Sequence, residues 1–139
     1  MAQKVNEVMT PVPVAVSPDA SLVEAGDLMR EHGIGDVLVV HEGRLRGLVT
    51  DRDIVVRAVA AERDMAATTV AEICSTNVVT VAPGEDAEAA VTLMRRHAVR
   101  RIPVMDGDRP IGMVSIGDLA VQRDERSALA DISAEPPNI

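Results

Sequence analysis

A shift of 65 residues superimposes one half of this sequence on the other, and this internal repeat constrains the fold more than any other feature. Val5–Ile54 aligns with Val70–Leu119 without a gap, and fifteen of the fifty aligned pairs are identical. Unrelated sequences share only a few identities by chance over such a length, so the chain contains a duplicated unit. The identical pairs include Pro18/Pro83, Leu28/Leu93, Met29/Met94, His32/His97, Gly47/Gly112 and Asp53/Asp118.

Each copy predicts the order strand–helix–strand–strand–helix. Runs of β-branched residues between turn residues predict the strands, and apolar residues three and four positions apart predict the helices. We expect strands at 12–16, 37–40 and 45–49 in the first copy, and at 77–81, 102–105 and 110–114 in the second. We expect helices within 17–33 and 82–99, and closing helices at 51–62 and 117–125.

The first long helix has recognisable ends. Pro18 suits a first helical turn, Asp19 and Glu24 suit the positive end of the helix dipole, and Gly33 suits a left-handed C-terminal residue. One face of this helix should be apolar and carry a histidine in the last turn. We expect the same of the equivalent helix in the second copy. The residues of this face are Leu22, Ala25, Met29 and His32, matched by Ala87, Ala90, Met94 and His97.

These elements predict an α/β (α+β) fold of two β-α-β-β-α repeats. A small sheet with helices on one face leaves its other face uncovered, so we expect the two repeats to pack sheet to sheet with pseudo-two-fold symmetry. A unit of about 60 residues is marginally stable alone, which gives the duplication a physical reason. We place the first repeat at residues 1–62, the second at 63–124 and a polar C-terminal tail at 125–139.

Composition excludes several functions. The chain has no Phe, Trp or Tyr and a net charge of −8, whereas single-stranded nucleic-acid binding relies on aromatic platforms and on neutralised phosphates. No run of about 18 apolar residues suggests a membrane span, and Glu7 interrupts the place where a signal peptide needs apolar residues. We therefore expect a cytoplasmic protein without nucleic-acid or membrane partners. The single Cys74 excludes an internal disulfide.

Two equivalent turns carry the polar residues that most resemble a site. Thr50 is followed by Asp53 and Ser115 by Asp118, in each case after a predicted strand and a Gly. One interpretation is a capping box, in which the hydroxyl and the carboxylate satisfy backbone amides at a helix start. The other is a ligand site, since a hydroxyl, a carboxylate and free amides at a helix N-terminus can bind the vicinal hydroxyls of a ribose.

The strand order, together with "HGIGDVLVVHEGRLRGLVTDRD" and "HAVRRIPVMDGDRPIGMVSIGD", resembles the CBS domain family, and the tandem pair resembles a Bateman module. The resemblance covers about residues 5–122, and "TDRDIVVRA" is similar to small stand-alone bacterial CBS proteins. It implies binding of an adenosine derivative: AMP, ADP, ATP, S-adenosylmethionine, NAD or a diadenosine compound. It also implies clefts built from both repeats, with the Asp of each turn holding the ribose.

The resemblance assigns residues to two clefts. The main cleft would contain Ser115, Asp118, Arg100, Arg101, Thr10, Pro13, Ala15 and Ile34. The second cleft would contain Thr50, Asp53, Asp36, Ser75, Val78, Thr80 and Val99.

The two clefts differ in charge. Arg100 and Arg101 offer paired donors suited to a phosphate, while the first repeat has Gly35 and Asp36 at the corresponding places. We expect the Asp118 cleft to take a nucleotide first. The Asp53 cleft is expected to be empty or to take an uncharged or cationic adenosyl compound, with Arg52 as partial compensation. The alternative for the two arginines is a solvated pair that contacts acidic neighbours.

We therefore predict a regulatory, ligand-sensing module without a catalytic cofactor, which signals through dimer geometry or an unidentified effector protein. The alternative is a dimeric interaction or stress-associated scaffold with vestigial clefts. Helix faces rich in Val, Ala and Met suggest a homodimer, as the family resemblance implies. No nucleophile–base arrangement suggests an enzyme, and His32, His41, His97 and Cys74 show no metal-ligand spacing.

Overall fold

The computed structural model describes residues 3–123 and divides them into two compact units. The central unit contains residues 14–78, and the terminal unit contains residues 3–13 together with 79–123. Residues 3–13, which open the first repeat, thus belong to the same compact unit as the sheet and helices of the second repeat. The repeat boundaries at 62 and 63 stay a prediction, and the tail at 125–139 lies outside the described residues.

The central unit is built on a three-stranded sheet. Its strands are β2 (Ala15–Val16), β3 (Asp36–His41) and β4 (Arg44–Thr50), and they lie in this order in the sheet. Strands β2 and β3 are parallel, and β3 and β4 form an antiparallel hairpin. The helical elements are α2 (Leu22–His32), α3 (Asp51–Asp53), a π-helical segment (Ile54–Val59) and a 3₁₀ turn (Val70–Glu72).

The terminal unit has a second three-stranded sheet. Its strands are β1 (Thr10–Pro11), β5 (Arg101–Asp106) and β6 (Arg109–Ser115). The order in the sheet is β1-β6-β5, and both pairs are antiparallel. Its helices are α1 (Val5–Val8), α4 (Ala87–His97) and α5 (Ile116–Arg123). Mixed helix and strand content and two small sheets confirm the predicted α+β fold class.

Each unit has its own aliphatic core. In the central unit, Leu22, Ala25 and Met29 of α2 are buried with Val37, Val39 and Val49 of the sheet and with Val70 and Ile73. In the terminal unit, Ala90 and Met94 of α4 are buried with Ile102, Val104 and Val114 and with Val5 and Val8 of α1. The predicted apolar faces are therefore confirmed, except that His32 and His97 are exposed.

The first strand of each repeat is shorter than predicted. Val12 has a φ of 54°, and this left-handed residue between Pro11 and Pro13 interrupts the predicted strand 12–16, so that only β2 remains. The prediction of a strand at 77–81 is wrong: Val81 alone pairs with Val104, in a parallel bridge. Turn-forming backbone at these positions prevents a continuous ladder.

Both long helices are eleven residues long and end as the first one was predicted to end. Gly33 has a φ of 64° and Ala98 a φ of 54°, so both helices terminate in a left-handed residue. The predicted start is wrong for the first helix, because Ser21 caps it by accepting a bond from the Glu24 amide, and Pro18 lies outside it. Half of the predicted helix 51–62 is π-helical, at Ile54–Val59, as in the bond from Ala60 N–H to the Val55 carbonyl.

No helix within residues 3–123 is long and apolar enough to cross a membrane.

Candidate functional site

The two equivalent turns form matching capping boxes. Thr50 N–H donates to Asp53 Oδ2 at 2.9 Å, and Asp53 N–H donates to Thr50 Oγ1 at 3.0 Å. Ser115 N–H donates to Asp118 Oδ2 at 3.1 Å, and Asp118 N–H donates to Ser115 Oγ at 3.1 Å. The capping interpretation is thus confirmed. It does not exclude a ligand, because each cap uses only one oxygen of the carboxylate.

Sheet register places a charged residue beside each capping hydroxyl. Asp36 of β3 pairs with Thr50, and Arg101 of β5 pairs with Ser115. The preceding carbonyls make equivalent bonds: Asp51 N–H donates to the Gly35 carbonyl at 2.9 Å, and Ile116 N–H donates to the Arg100 carbonyl at 2.8 Å. The backbone of the two turns is therefore alike, while the side chains on it differ in charge.

The central turn is acidic. Asp36 is buried at 8% exposure, and a Cβ placed on Gly35 would lie 2.9 Å from Asp51 Oδ2, so a second carboxylate lies against this glycine. Two carboxylates here oppose a phosphate by direct repulsion.

The terminal turn has the opposite charge. Arg100 and Arg101 stand where the central turn has Gly35 and Asp36, and Ile116 stands where it has Asp51. Arg100 is exposed and Arg101 partly exposed, so cationic side chains border the Ser115–Asp118 turn. A phosphate is favoured beside them.

A crossing segment packs against the glycine before each turn. In the central unit, a Cβ on Gly47 would lie 2.7 Å from the Ser75 carbonyl oxygen and 2.9 Å from Cys74 Sγ. In the terminal unit, a Cβ on Gly112 would lie 2.9 Å from the Thr10 carbonyl oxygen. Both glycines are needed for backbone approach, and this approach brings Ser75 and Thr10 to the strands that lead into the two turns.

The remaining predicted site residues are divided between the units. Thr10, Pro13, Thr80 and Val99 belong to the terminal unit with Arg100, Arg101, Ser115 and Asp118. Ala15, Ile34, Ser75 and Val78 belong to the central unit with Asp36, Thr50 and Asp53. The assignment of Ala15 and Ile34 to the Asp118 cleft, and of Thr80 and Val99 to the Asp53 cleft, stays a prediction.

Sequence reasoning missed Arg57. Its Nε lies 3.8 Å from Asp53 Oδ1, and its Nη1 donates to the Ile73 carbonyl at 2.9 Å. The spacing of four residues between Asp53 and Arg57 on a helix was a usable signal for the ion pair. Nothing in the sequence pointed to the carbonyl sixteen residues away.

Cys74 follows Ile73 directly. Burial raises the pKa of the Cys74 thiol, and the Asp53 carboxylate raises it further, while the Arg57 guanidinium lowers it. The thiol is therefore a partly buried, mostly neutral group at the edge of the central turn.

Within residues 3–123, no group of three or more His, Cys, Asp or Glu side chains is arranged to hold a metal ion.

Comparison with known proteins gives a consistent assignment. The model of the CBS domain family matches residues 5–59 and again residues 70–123. The CBS domain-containing protein YhcV of Bacillus subtilis (strain 168) is 41% identical over 133 residues, which cover 93% of this chain and 94% of YhcV.

Two solved structures extend this comparison. A putative signal-transduction protein with CBS domains from Burkholderia ambifaria MC40-6 has a TM-score of 0.82 and 33% identity, covering 90% of this chain and 96% of that one. The CBS domain pair of protein MJ0100, solved with 5′-methylthioadenosine and S-adenosyl-L-methionine, has a TM-score of 0.81 and 25% identity, covering 91% of this chain and all (100%) of that one. The present chain belongs to the CBS domain family and carries two CBS domains.

Proposed function

We propose that this protein is a regulatory module that senses an adenosine derivative, and that its principal ligand is an adenine nucleotide at the Ser115–Asp118 turn. The free oxygen of Asp118 would accept hydrogen bonds from the ribose hydroxyls, and Arg100 would contact the phosphate. The capping bond uses Asp118 Oδ2, so the cap leaves Oδ1 for this role. The module is proposed to act without catalysis.

The observation that carries this proposal is the reversal of charge between two turns of the same backbone geometry. The capping box itself requires no particular charge at positions 100 and 101, where the other repeat has Gly and Asp. A charge-assisted hydrogen bond to phosphate is worth about 1.5–3 kcal/mol, or about 10- to 150-fold in affinity.

The acidic turn at Asp53 is proposed to take an uncharged or cationic adenosyl compound. Asp36 and Asp51 disfavour a phosphate there, whereas the sulfonium of S-adenosylmethionine would be attracted to them. The MJ0100 pair, crystallised with one uncharged and one cationic adenosyl compound, makes this ligand class a reasonable one to test.

A calorimetric thermal-shift series tests the principal site, since the chain has no Trp or Tyr to report by fluorescence. AMP at 100 times its dissociation constant should add about 2.7 kcal/mol of stability. Asp118→Asn should abolish the shift, and Asp53→Asn should leave it intact.

Arg100→Gln then separates a phosphate contact from general destabilisation. It should weaken AMP binding about tenfold or more while leaving adenosine binding nearly unchanged. Equal losses for AMP and adenosine would contradict a phosphate role for Arg100, and no shift with any adenosyl compound would contradict the sensor function.

A second candidate function, a homodimeric interaction scaffold, is favoured by one surface. Val55, Val56 and Val59 of the π-helical segment are 56%, 50% and 53% exposed. Burial of large apolar side chains stabilises a protein, so a cluster of exposed ones suggests a covered surface. We propose that a second copy of this chain covers this valine surface.

Sedimentation measures the oligomeric state directly. Val56→Glu should shift the protein toward monomer, whereas Val12→Glu, at an exposed valine outside the surface, should not. A wild-type monomer at micromolar concentration would contradict the homodimer.

A further inference from the structure

Arg57 joins the carboxylate of the central turn to the segment that leads out of the central unit. Its Nε faces Asp53 Oδ1 at 3.8 Å, and its Nη1 donates to the Ile73 carbonyl at 2.9 Å. The Asp53 side chain is 15% exposed and the Arg57 side chain 49% exposed, so the contact lies at the surface edge of the turn. A guanidinium, with several donors in one plane, can serve both acceptors at once.

The segment held in this way is itself part of the candidate site. Cys74 N–H bonds to the Val70 carbonyl at 2.9 Å, and Ser75 exchanges two bonds of 2.9 Å with Leu48, two residues before Thr50. The position of Ile73 therefore fixes the position of Ser75 beside the strand that enters the turn. After Val78 the chain passes into the terminal unit.

The sequence of the second repeat differs at the position of Arg57. Gln122 occupies the position that corresponds to Arg57, so the terminal turn has no cation four residues after its carboxylate. The arginine distinguishes the two turns. The capping box does not require it, because the Ser115–Asp118 turn forms the same box without an arginine at this position.

We propose that Arg57 is a positioning residue that couples ligand occupancy at the Asp53 turn to the order of residues 73–75. This inference rests on the proposed adenosyl site at that turn. Ribose hydroxyls on Asp53 fix its carboxylate, the fixed carboxylate holds the guanidinium, and the guanidinium holds the Ile73 carbonyl. Coupling is reciprocal, so an Arg57 contact that favours ligand must in turn be favoured by ligand.

The single cysteine reports on this coupling. Cys74 is the only thiol in the chain and adjoins Ile73, so the ratio of its alkylation rates with and without ligand, taken within each variant, reports the opening of the segment. The probe is S-adenosylmethionine, applied to the Asp118→Asn protein so that binding is confined to the Asp53 turn. Saturating ligand should slow alkylation at least fivefold at one fixed pH.

Three variants in the same background locate the effect. Arg57→Gln, which installs the residue of the second repeat, should weaken S-adenosylmethionine binding about five- to tenfold and remove the protection of Cys74. Arg57→Lys keeps the charge but reaches one acceptor at a time, so protection should be intermediate. Arg63→Gln breaks a different contact of the same region, Arg63 to Glu72. It should speed alkylation of the free protein yet preserve the slowing by ligand.

The outcomes separate this inference from the proposed function. Suppose that S-adenosylmethionine binds and that Asp53→Asn abolishes this binding. An alkylation rate that ligand does not change, or full protection of Cys74 in Arg57→Gln, would then overturn the coupling and leave the ligand site standing. Absence of S-adenosylmethionine binding, or binding unaffected by Asp53→Asn, would overturn both the site at this turn and the coupling.

Discussion

Replacement of Gly47 by alanine tests the packing on which the central turn depends. The new Cβ would lie 2.7 Å from the Ser75 carbonyl oxygen, a backbone atom, and 2.9 Å from Cys74 Sγ. Contacts this short force the crossing segment outward. Overpacking of this kind costs about 1–3 kcal/mol.

The displacement also strains hydrogen bonds, because the carbonyl of Ser75 accepts from Leu48 N–H at 2.9 Å. Loss of one backbone hydrogen bond adds about 1 kcal/mol. We therefore expect Gly47→Ala to lower the free energy of unfolding by about 2–4 kcal/mol.

Urea denaturation followed by far-ultraviolet circular dichroism measures this change. Gly26 and Gly84 are matched controls, because a Cβ on either meets no atom within 4 Å. Gly26→Ala, in the middle of α2, should stabilise the protein by about 0.5–1 kcal/mol. A Gly47→Ala protein within 0.5 kcal/mol of wild type, or one that behaves like Gly26→Ala, would refute the close crossing of the segment over the glycine.

Three further predictions concern stability. Val12→Asn should stabilise the protein by about 1 kcal/mol in the same urea assay, because a β-branched residue is costly at positive φ and the second repeat has Asn77 at this position. Ala98→Gly should stabilise α4 by about 0.5–1 kcal/mol, since Gly33 ends the equivalent helix without a Cβ; a destabilised variant would contradict the left-handed cap. Bonds from a backbone amide and a guanidinium lower the pKa of the Glu72 carboxyl below its ordinary value of 4.5. The ionised carboxylate therefore stabilises the folded state above that pH, and this stabilisation is lost as pH falls through the folded-state pKa. Glu72→Gln should therefore make the melting temperature fall less steeply as the pH is lowered. An unchanged pH dependence in acid would contradict the bonds to Glu72.

The sequence predicted those elements whose pattern is local. The four long strands lie within a residue or two of their predicted ranges. Two of them, at 37–40 and 102–105, are continuous apolar runs of a length that marks buried strands. The helix end at Gly33 and both capping boxes were also predictable, since each depends on residues at most three positions apart.

Features that depend on distant residues could not be predicted in the same way. A run such as 12–16 has strand composition, yet Val12 takes a left-handed conformation because the chain leaves one sheet at Pro11 and enters another at Ala15. The contact of Arg57 with the Ile73 carbonyl joins residues sixteen positions apart, and no periodicity encodes it. The π-helical backbone after α3 is likewise invisible in a pattern that suits an α-helix.

The exchange of segments between repeats connects these observations. The core of the central unit includes Val70 and Ile73, which open the second repeat, and the core of the terminal unit includes Val5 and Val8, which open the first. Each opening segment then crosses the glycine that precedes the candidate site of the unit it joins.

A single repeat therefore lacks both part of its core and the segment beside its own turn. Marginal stability of a small unit gives a reason for two copies, and the exchange makes the core of each repeat depend on the other. It also locates the differences between the two sites. Met9–Thr10 and Cys74–Ser75 play the same role in the two units. The proposed difference in ligand between the two turns therefore rests on the charges at 35–36 and 100–101, on Asp51 against Ile116, and on Arg57 against Gln122.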